Sequence, residues 1–159
     1  MEKNTKQIRD HIERIWLFSK YYSDLLRSSF RLYDFNEWYA ACLVLFNATE
    51  LIIKASLEDY GNNFNQDIKS LKNLRIITDE EYDFFENSDF GIRKIRNIMT
   101  HRDAYEYALT DSYGINYMLS EDDTWKIIFE KNAPKIVEIL DNVVQNSFCS
   151  TNTEEIGPA

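Results

Sequence analysis

Four glycines are scattered through 159 residues at positions 61, 91, 114 and 157, and that scarcity excludes a phosphate-cradling loop, which needs several glycines closely spaced. Histidine and cysteine are just as sparse. Two of each, widely separated, give no tetrahedral N/S set at ligand spacing, so no metal is expected. Cys42 sits in the apolar stretch Tyr39-Ala-Ala-Cys-Leu-Val-Leu-Phe46 and Cys149 in a polar segment, so no disulfide pairing is evident and a reducing setting fits better. The longest uninterrupted apolar run falls far short of the ~20 residues that span a bilayer, and Met1-Glu-Lys-Asn-Thr-Lys-Gln7 has no apolar signal core. The expectation is a cytoplasmic chain with no membrane partner and no cofactor. No internal repeat, low-complexity tract or linker interrupts it, so one domain over 1–146 and a disordered polar tail over 147–159 are expected.

Positive charge is also in deficit, since 18 Lys and Arg against 27 Asp and Glu give a net charge of −9. That disfavours indiscriminate attraction to nucleic acid, where affinity comes largely from cations displacing counterions at phosphates. The average conceals a local reversal. From Gly91 to Arg102 there are four cations (Arg93, Lys94, Arg96, Arg102) and no acid, whereas Asp79 to Asp89 holds six acids and no cation. The first stretch is a candidate RNA-binding spot, or else a solvated helix face balanced by its neighbour.

What is plentiful is helical periodicity. Ile8, Ile12, Ile15, Tyr22 and Leu26 mark one amphipathic helix over about 5–32. A second, over about 37–60, is apolar almost all round, which suits the centre of a bundle, and Gly61-Asn-Asn63 is expected to stop it. A short helix over about 66–74 follows. Thr78-Asp-Glu-Glu81 is a capping box that opens a fourth helix carrying Tyr82, Phe85, Ile92, Ile95 and Met99, kinked near Ser88–Gly91 and ending around His101 to Tyr105. Ile115–Leu119 and Thr124–Phe129 read as a β-hairpin within 114–130, or as helical turns. Asn132 reads as the N-cap of a last helix to about Val144, with Pro134 in its first turn. The expected class is mainly α: a bundle of four to five helices with a small hairpin.

His11 falls on the polar face of the first helix and is expected to be an ordinary surface residue. His101 is different. The segment Ile95-Arg-Asn-Ile-Met-Thr-His101 has the form Arg-Asn-x-x-x-His late in an all-helical chain, and here the sequence resembles the HEPN family. The resemblance covers the architecture of about residues 5–144, but in residues only this motif. It implies a helical bundle that dimerises across the motif and a metal-independent ribonuclease site, with Arg96 and His101 catalytic, Asn97 supporting them and RNA as substrate. It further implies a toxin or antiviral effector restrained by an antitoxin or other regulatory protein. Family members paired with a nucleotidyltransferase antitoxin carry a modified tyrosine two residues after the histidine. Here that position is Asp103, and the nearest tyrosine is Tyr105, so this chain departs from that mode of regulation.

The motif also has a physical reading. At about 100° per residue Asn97 and His101 share one helix face, so the amide can orient the imidazole. Arg96 and His101 diverge by about 140°. Either the helix ends before His101, or a twofold dimer supplies one residue from each chain to a shared cleft. His101, with a reference pKa of about 6.5, can serve as base or acid, and Arg96 can hold a phosphate through parallel hydrogen bonds. The plain structural alternative is a cationic helix C-terminus meeting the macrodipole. In the apolar second helix, Asn47 and Glu50 are polar groups that need partners, and the family often has such a residue facing the motif. Glu50 can reach Arg96 or His101, or pair with Lys54 one turn on. A second function class stays open: a non-catalytic HEPN-like bundle that binds a nucleotide or a partner protein.

Overall fold

The structure, a computed structural model, describes residues 2–99 and 103–154. Among these, seven α-helices, one 3₁₀ turn and one two-stranded hairpin make a helical bundle in the order α1 (Glu2–Phe18), α2 (Lys20–Asp34), α3 (Trp38–Leu57), α4 (Phe64–Asn73), α5 (Asp79–Asn87), α6 (Ile92–Met99), β1 (Ala108–Thr110), β2 (Asn116–Met118) and α7 (Asp122–Glu154). α3 is the spine. Ala41, Cys42, Leu45, Phe46, Ala48, Thr49, Ile52 and Ile53 are all buried, against α2 on one side and α7 on another. Each fully buried Leu or Ile contributes about 1.5–3 kcal/mol, so this helix anchors the core. By length and composition α3 is the one described helix apolar enough to cross a membrane; here it is packed inside a bundle.

Cys42 shows how dry that core is. Its thiol is fully buried and donates to the Trp125 carbonyl at 3.4 Å, and burial pushes its pKa up to about 12. Only the thiolate is a nucleophile, and at pH 8 its population is about a thousandfold below that of an ordinary cysteine. In a Cys149→Ser background, a thiol reagent should therefore label Cys42 at the rate of unfolding. Prompt stoichiometric labelling of the folded protein would contradict this packing.

The first expected helix is two. Ser19 takes an extended conformation and its Oγ accepts from the Tyr22 N–H at 3.3 Å, ending α1 and capping α2. The two helices then pack on each other, with Ser23 Oγ donating to the Ile12 carbonyl at 3.2 Å. The apolar period runs through the break unchanged, which is why it reads as one helix. α3 stops at Glu58, in the left-handed region at φ 52°, three residues before the expected Gly61; the Glu58 N–H closes on the Ala55 carbonyl.

The capping box at Thr78 is present in both directions, with Glu81 N–H to Thr78 Oγ1 at 3.1 Å and Thr78 N–H to Glu81 Oε2 at 2.8 Å. The kink expected at Ser88–Gly91 is a full break between α5 and α6. Gly91 belongs there because a Cβ would lie 2.8 Å from the Ser88 carbonyl oxygen, too close for any other residue.

The hairpin exists, but its strands are Ala108–Thr110 and Asn116–Met118, paired antiparallel with Leu109 opposite Tyr117. Thr124–Phe129, expected as a strand, lies in α7. Trp125, Ile128, Phe129, Ala133, Ile136, Val137 and Leu140 are buried at helical spacing straight through Pro134, so packing overrides β propensity. Asn132 is accordingly not a cap. It is buried inside α7, its Nδ2 donating to Phe90 O at 2.7 Å and Ile128 O at 2.8 Å, tying α7 to the α5–α6 turn. Pro134 has no N–H to offer the Glu130 carbonyl, and the loss falls at an exposed residue. α7 also continues to Glu154, over most of the stretch expected as a disordered tail, since extending a formed helix costs far less than starting one.

Candidate functional site

α6 is an eight-residue helix with Ile92 and Ile95 buried and its polar side chains divided between two surroundings. Arg96 faces inward towards the middle of α3. Its Nη2 is ion-paired to Glu50 Oε2, and its guanidinium lies over the Phe64 ring at 5.3 Å from the centroid. The guanidinium is held by carboxylate and ring, and 32% of the Arg96 side chain remains exposed to solvent. A planar group pinned in that way loses little entropy on meeting a second anion.

Glu50 does both things its sequence position allowed. Besides Arg96 it reaches Lys54, one turn along α3, at 3.9 Å. Lys54 has a nearer partner in Asp67 of α4, at 2.7 Å, and also donates to the Asn62 carbonyl. Asp67 is fully buried, and its Oδ1 has no hydrogen-bond partner. An alternating chain of charge therefore runs Arg96, Glu50, Lys54, Asp67, from α6 across α3 to α4. Neither Phe64 nor Asp67 stood out in the sequence. They belong to a short helix whose partners lie far along the chain, and no local spacing links them to the motif.

The other members of the expected site are less concentrated. Asn97 lies on the exposed side of α6, lining an open cleft with Arg93 and Lys94 rather than facing Glu50. Arg93 is ion-paired to Glu86 of α5, so one of the expected RNA-binding cations is already balanced; Lys94 is exposed. Asn47, expected to need a buried partner, sits on an exposed face of α3 and makes no hydrogen bond to the motif among the described residues. Even the most apolar helix of this bundle leaves one strip to solvent. His101 and Arg102 lie outside the described residues.

His11 is not the surface residue its polar neighbours suggested. Its side chain is 12% exposed, and Nδ1 stands 2.7 Å from Oδ2 of the buried Asp141 on α7, where Arg14 Nε also donates at 2.8 Å. His11 precedes Ile12 at the edge of the buried stripe, and α1 packs directly on α7, so the flank of that stripe is covered too. Among the described residues no group of three or more His, Cys, Asp or Glu side chains converges in a way that could hold a metal ion. No family model matches this chain, and comparisons with curated proteins and with solved structures gave no significant match.

Proposed function

We propose that this chain is a metal-independent endoribonuclease of the HEPN type, a cytoplasmic homodimer acting as a toxin or antiviral effector under the control of an antitoxin or other regulatory protein. The supporting observation is Arg96, which is fixed by a carboxylate of the central helix, seated on an aromatic ring and still open to solvent five residues before His101. In this mechanism His101 takes the proton of a ribose 2′-OH, and the freed oxygen attacks the adjacent phosphorus. Arg96 meets the charge that grows on the phosphoryl oxygens. The P–O5′ bond breaks and the protonated His101 imidazole returns its proton to the leaving oxygen, giving a 2′,3′-cyclic phosphate and a 5′-hydroxyl. Glu50 positions Arg96 and touches no substrate.

Two measurements test this. RNA should be cut in EDTA by the wild type and not by His101→Ala. The protein should also run in light scattering at about 38 kDa, twice its 18.9 kDa chain mass, because the HEPN resemblance implies a twofold dimer in which both chains complete the cleft. A strict monomer at micromolar concentration would remove the shared cleft. The competing assignment, a non-catalytic bundle holding a nucleotide or a partner protein through Arg96, draws support from the neutralisation of Arg93 by Glu86, which thins the basic patch.

A further inference from the structure

The turn between α5 and α6 forms one wall of an open cleft of about 260 Å³, where Glu86, Ser88 and Asp89 face Arg93, Lys94 and Asn97. The tip of the hairpin is tied to that wall, since the Ser112 N–H donates to Asp89 Oδ2 at 2.9 Å. Asp111 gathers the rest of the tip. Its Oδ1 accepts from the N–H groups of Tyr113 and Ile115, each at 2.9 Å, and its Oδ2 from the Tyr117 hydroxyl at 3.1 Å. Those donors, the Ile115 N–H foremost, hold the Asp111 carboxyl below its ordinary pKa. Gly114 supplies the positive φ of 81° that the turn requires, and the Tyr117 ring packs edge-on against Phe90 at 5.1 Å.

The backbone around Tyr113 is therefore held on both sides, yet its side chain is 89% exposed, more than any other large apolar residue described. A ring presented so fully adds nothing to the core. It stands one residue from Ser112, whose own contact is a wall of the cleft. The charges in the cleft are unequally committed. Glu86 is paired to Arg93 and Asp89 accepts from Ser112, whereas Lys94 has no carboxylate partner among the described residues.

From this juxtaposition we infer that Tyr113 and the α5–α6 cleft form a subsite for single-stranded RNA, in which an unpaired base stacks on the Tyr113 ring and a neighbouring phosphate meets Lys94. Stacking needs a base free of its duplex, which selects single strands. With Lys94 as the one unpaired cation among the cleft's described lining, on a chain of net charge −9, the phosphate term is small and the ring carries most of the binding. Lys94 and Arg96 are two positions apart on α6 and so point about 200° apart, which puts this subsite on the opposite side of α6 from Arg96, where it holds the strand and not the scissile phosphate. The inference rests on the ribonuclease reading of Arg96 and His101, and it is tested apart from it.

The test uses the full chain carrying His101→Ala, so that RNA stays intact, with a fluorescently labelled ten-nucleotide single-stranded RNA in anisotropy titrations at low salt. Tyr113→Ala should weaken binding about tenfold, as should Tyr113→Leu, which keeps bulk but loses the π face; Tyr113→Phe should bind like the parent. Lys94→Ala should lower the slope of log affinity against log salt by about 0.7. Tyr113 is exposed, so thermal melts of these variants should coincide with the parent. Unchanged affinity in Tyr113→Ala and Tyr113→Leu, or equal binding of a duplex of the same sequence, would overturn the inference. So would an absence of RNA binding by the parent, which would leave Tyr113 to a protein partner. Tyr113-dependent binding together with an intact-His101 chain that cuts no RNA would remove the nuclease and keep the subsite; cleavage indifferent to Tyr113 does the reverse.

Discussion

His101→Ala should lower the rate of RNA cleavage by about 10²–10⁴, the range for losing a general base or acid, and Arg96→Ala by about 10²–10³, the range for removing one charge-stabilising donor. His101→Ala should leave the affinity for uncut RNA nearly unchanged, since the proton it moves is transferred only in the transition state, whereas Arg96→Ala should also weaken binding, because the ground-state phosphodiester is already an anion. The two variants should differ in stability. Arg96 is ion-paired, so its removal leaves the Glu50 carboxylate with Lys54 alone, at 3.9 Å, and roughly 1 kcal/mol of stability should go with it. Arg96→Lys separates the two effects. It restores a positive charge near Glu50 but loses the planar fork, so stability should recover while cleavage stays low. Activity in all cases should persist in EDTA, fail on DNA of the same sequence, and leave 2′,3′-cyclic phosphate ends. A His101→Ala protein that cuts as fast as the wild type would end the nuclease proposal and leave the binding module in its place.

Features written in a few consecutive residues were legible in the sequence. The Thr78–Glu81 capping box and the largely apolar character of α3 needed only local pattern; the box stands as read, and α3 is the central helix expected, though it keeps one exposed strip and ends at Leu57. Glu50 was flagged because a carboxylate in so apolar a helix requires a partner, and its partner is the motif arginine. The misreadings share a physical cause, which is that tertiary packing outweighs local signals. Asn132-Ala-Pro134 has the composition of a helix start, but the apolar stripe from Trp125 to Leu140 buries enough surface against the rest of the bundle to carry α7 through the proline. Ser19 did the opposite, breaking a helix whose apolar period never faltered. His11 and Asp67 were beyond any local reading, because their partners lie 130 and 13 residues away, on other helices.

That distance makes Asp67 the most exacting test of the α3–α4 packing. Its side chain is fully buried and pairs at 2.7 Å with Lys54, itself only 12% exposed, so neither charge has ready access to water. Removing Asp67 leaves the Lys54 charge with only the Asn62 carbonyl and the more distant Glu50, at 3.9 Å, so Asp67→Ala should cost towards the low end of the about 3–5 kcal/mol seen when one partner of a buried pair is removed, read by chemical denaturation. Asp67→Asn, which keeps shape and one acceptor, should cost less. The double variant Asp67→Ala with Lys54→Met should recover much of the loss, because an apolar pair needs no compensation. The two changes should therefore be strongly non-additive in a double-mutant cycle. Lys54 also shares Glu50 with Arg96, so the double variant should leave Glu50 bound to Arg96 alone and preserve cleavage. Additive losses would show that Lys54 and Asp67 are each solvated independently. A double variant as stable as the wild type but inactive would instead assign the pair to holding Glu50, and through it Arg96, in register with the substrate.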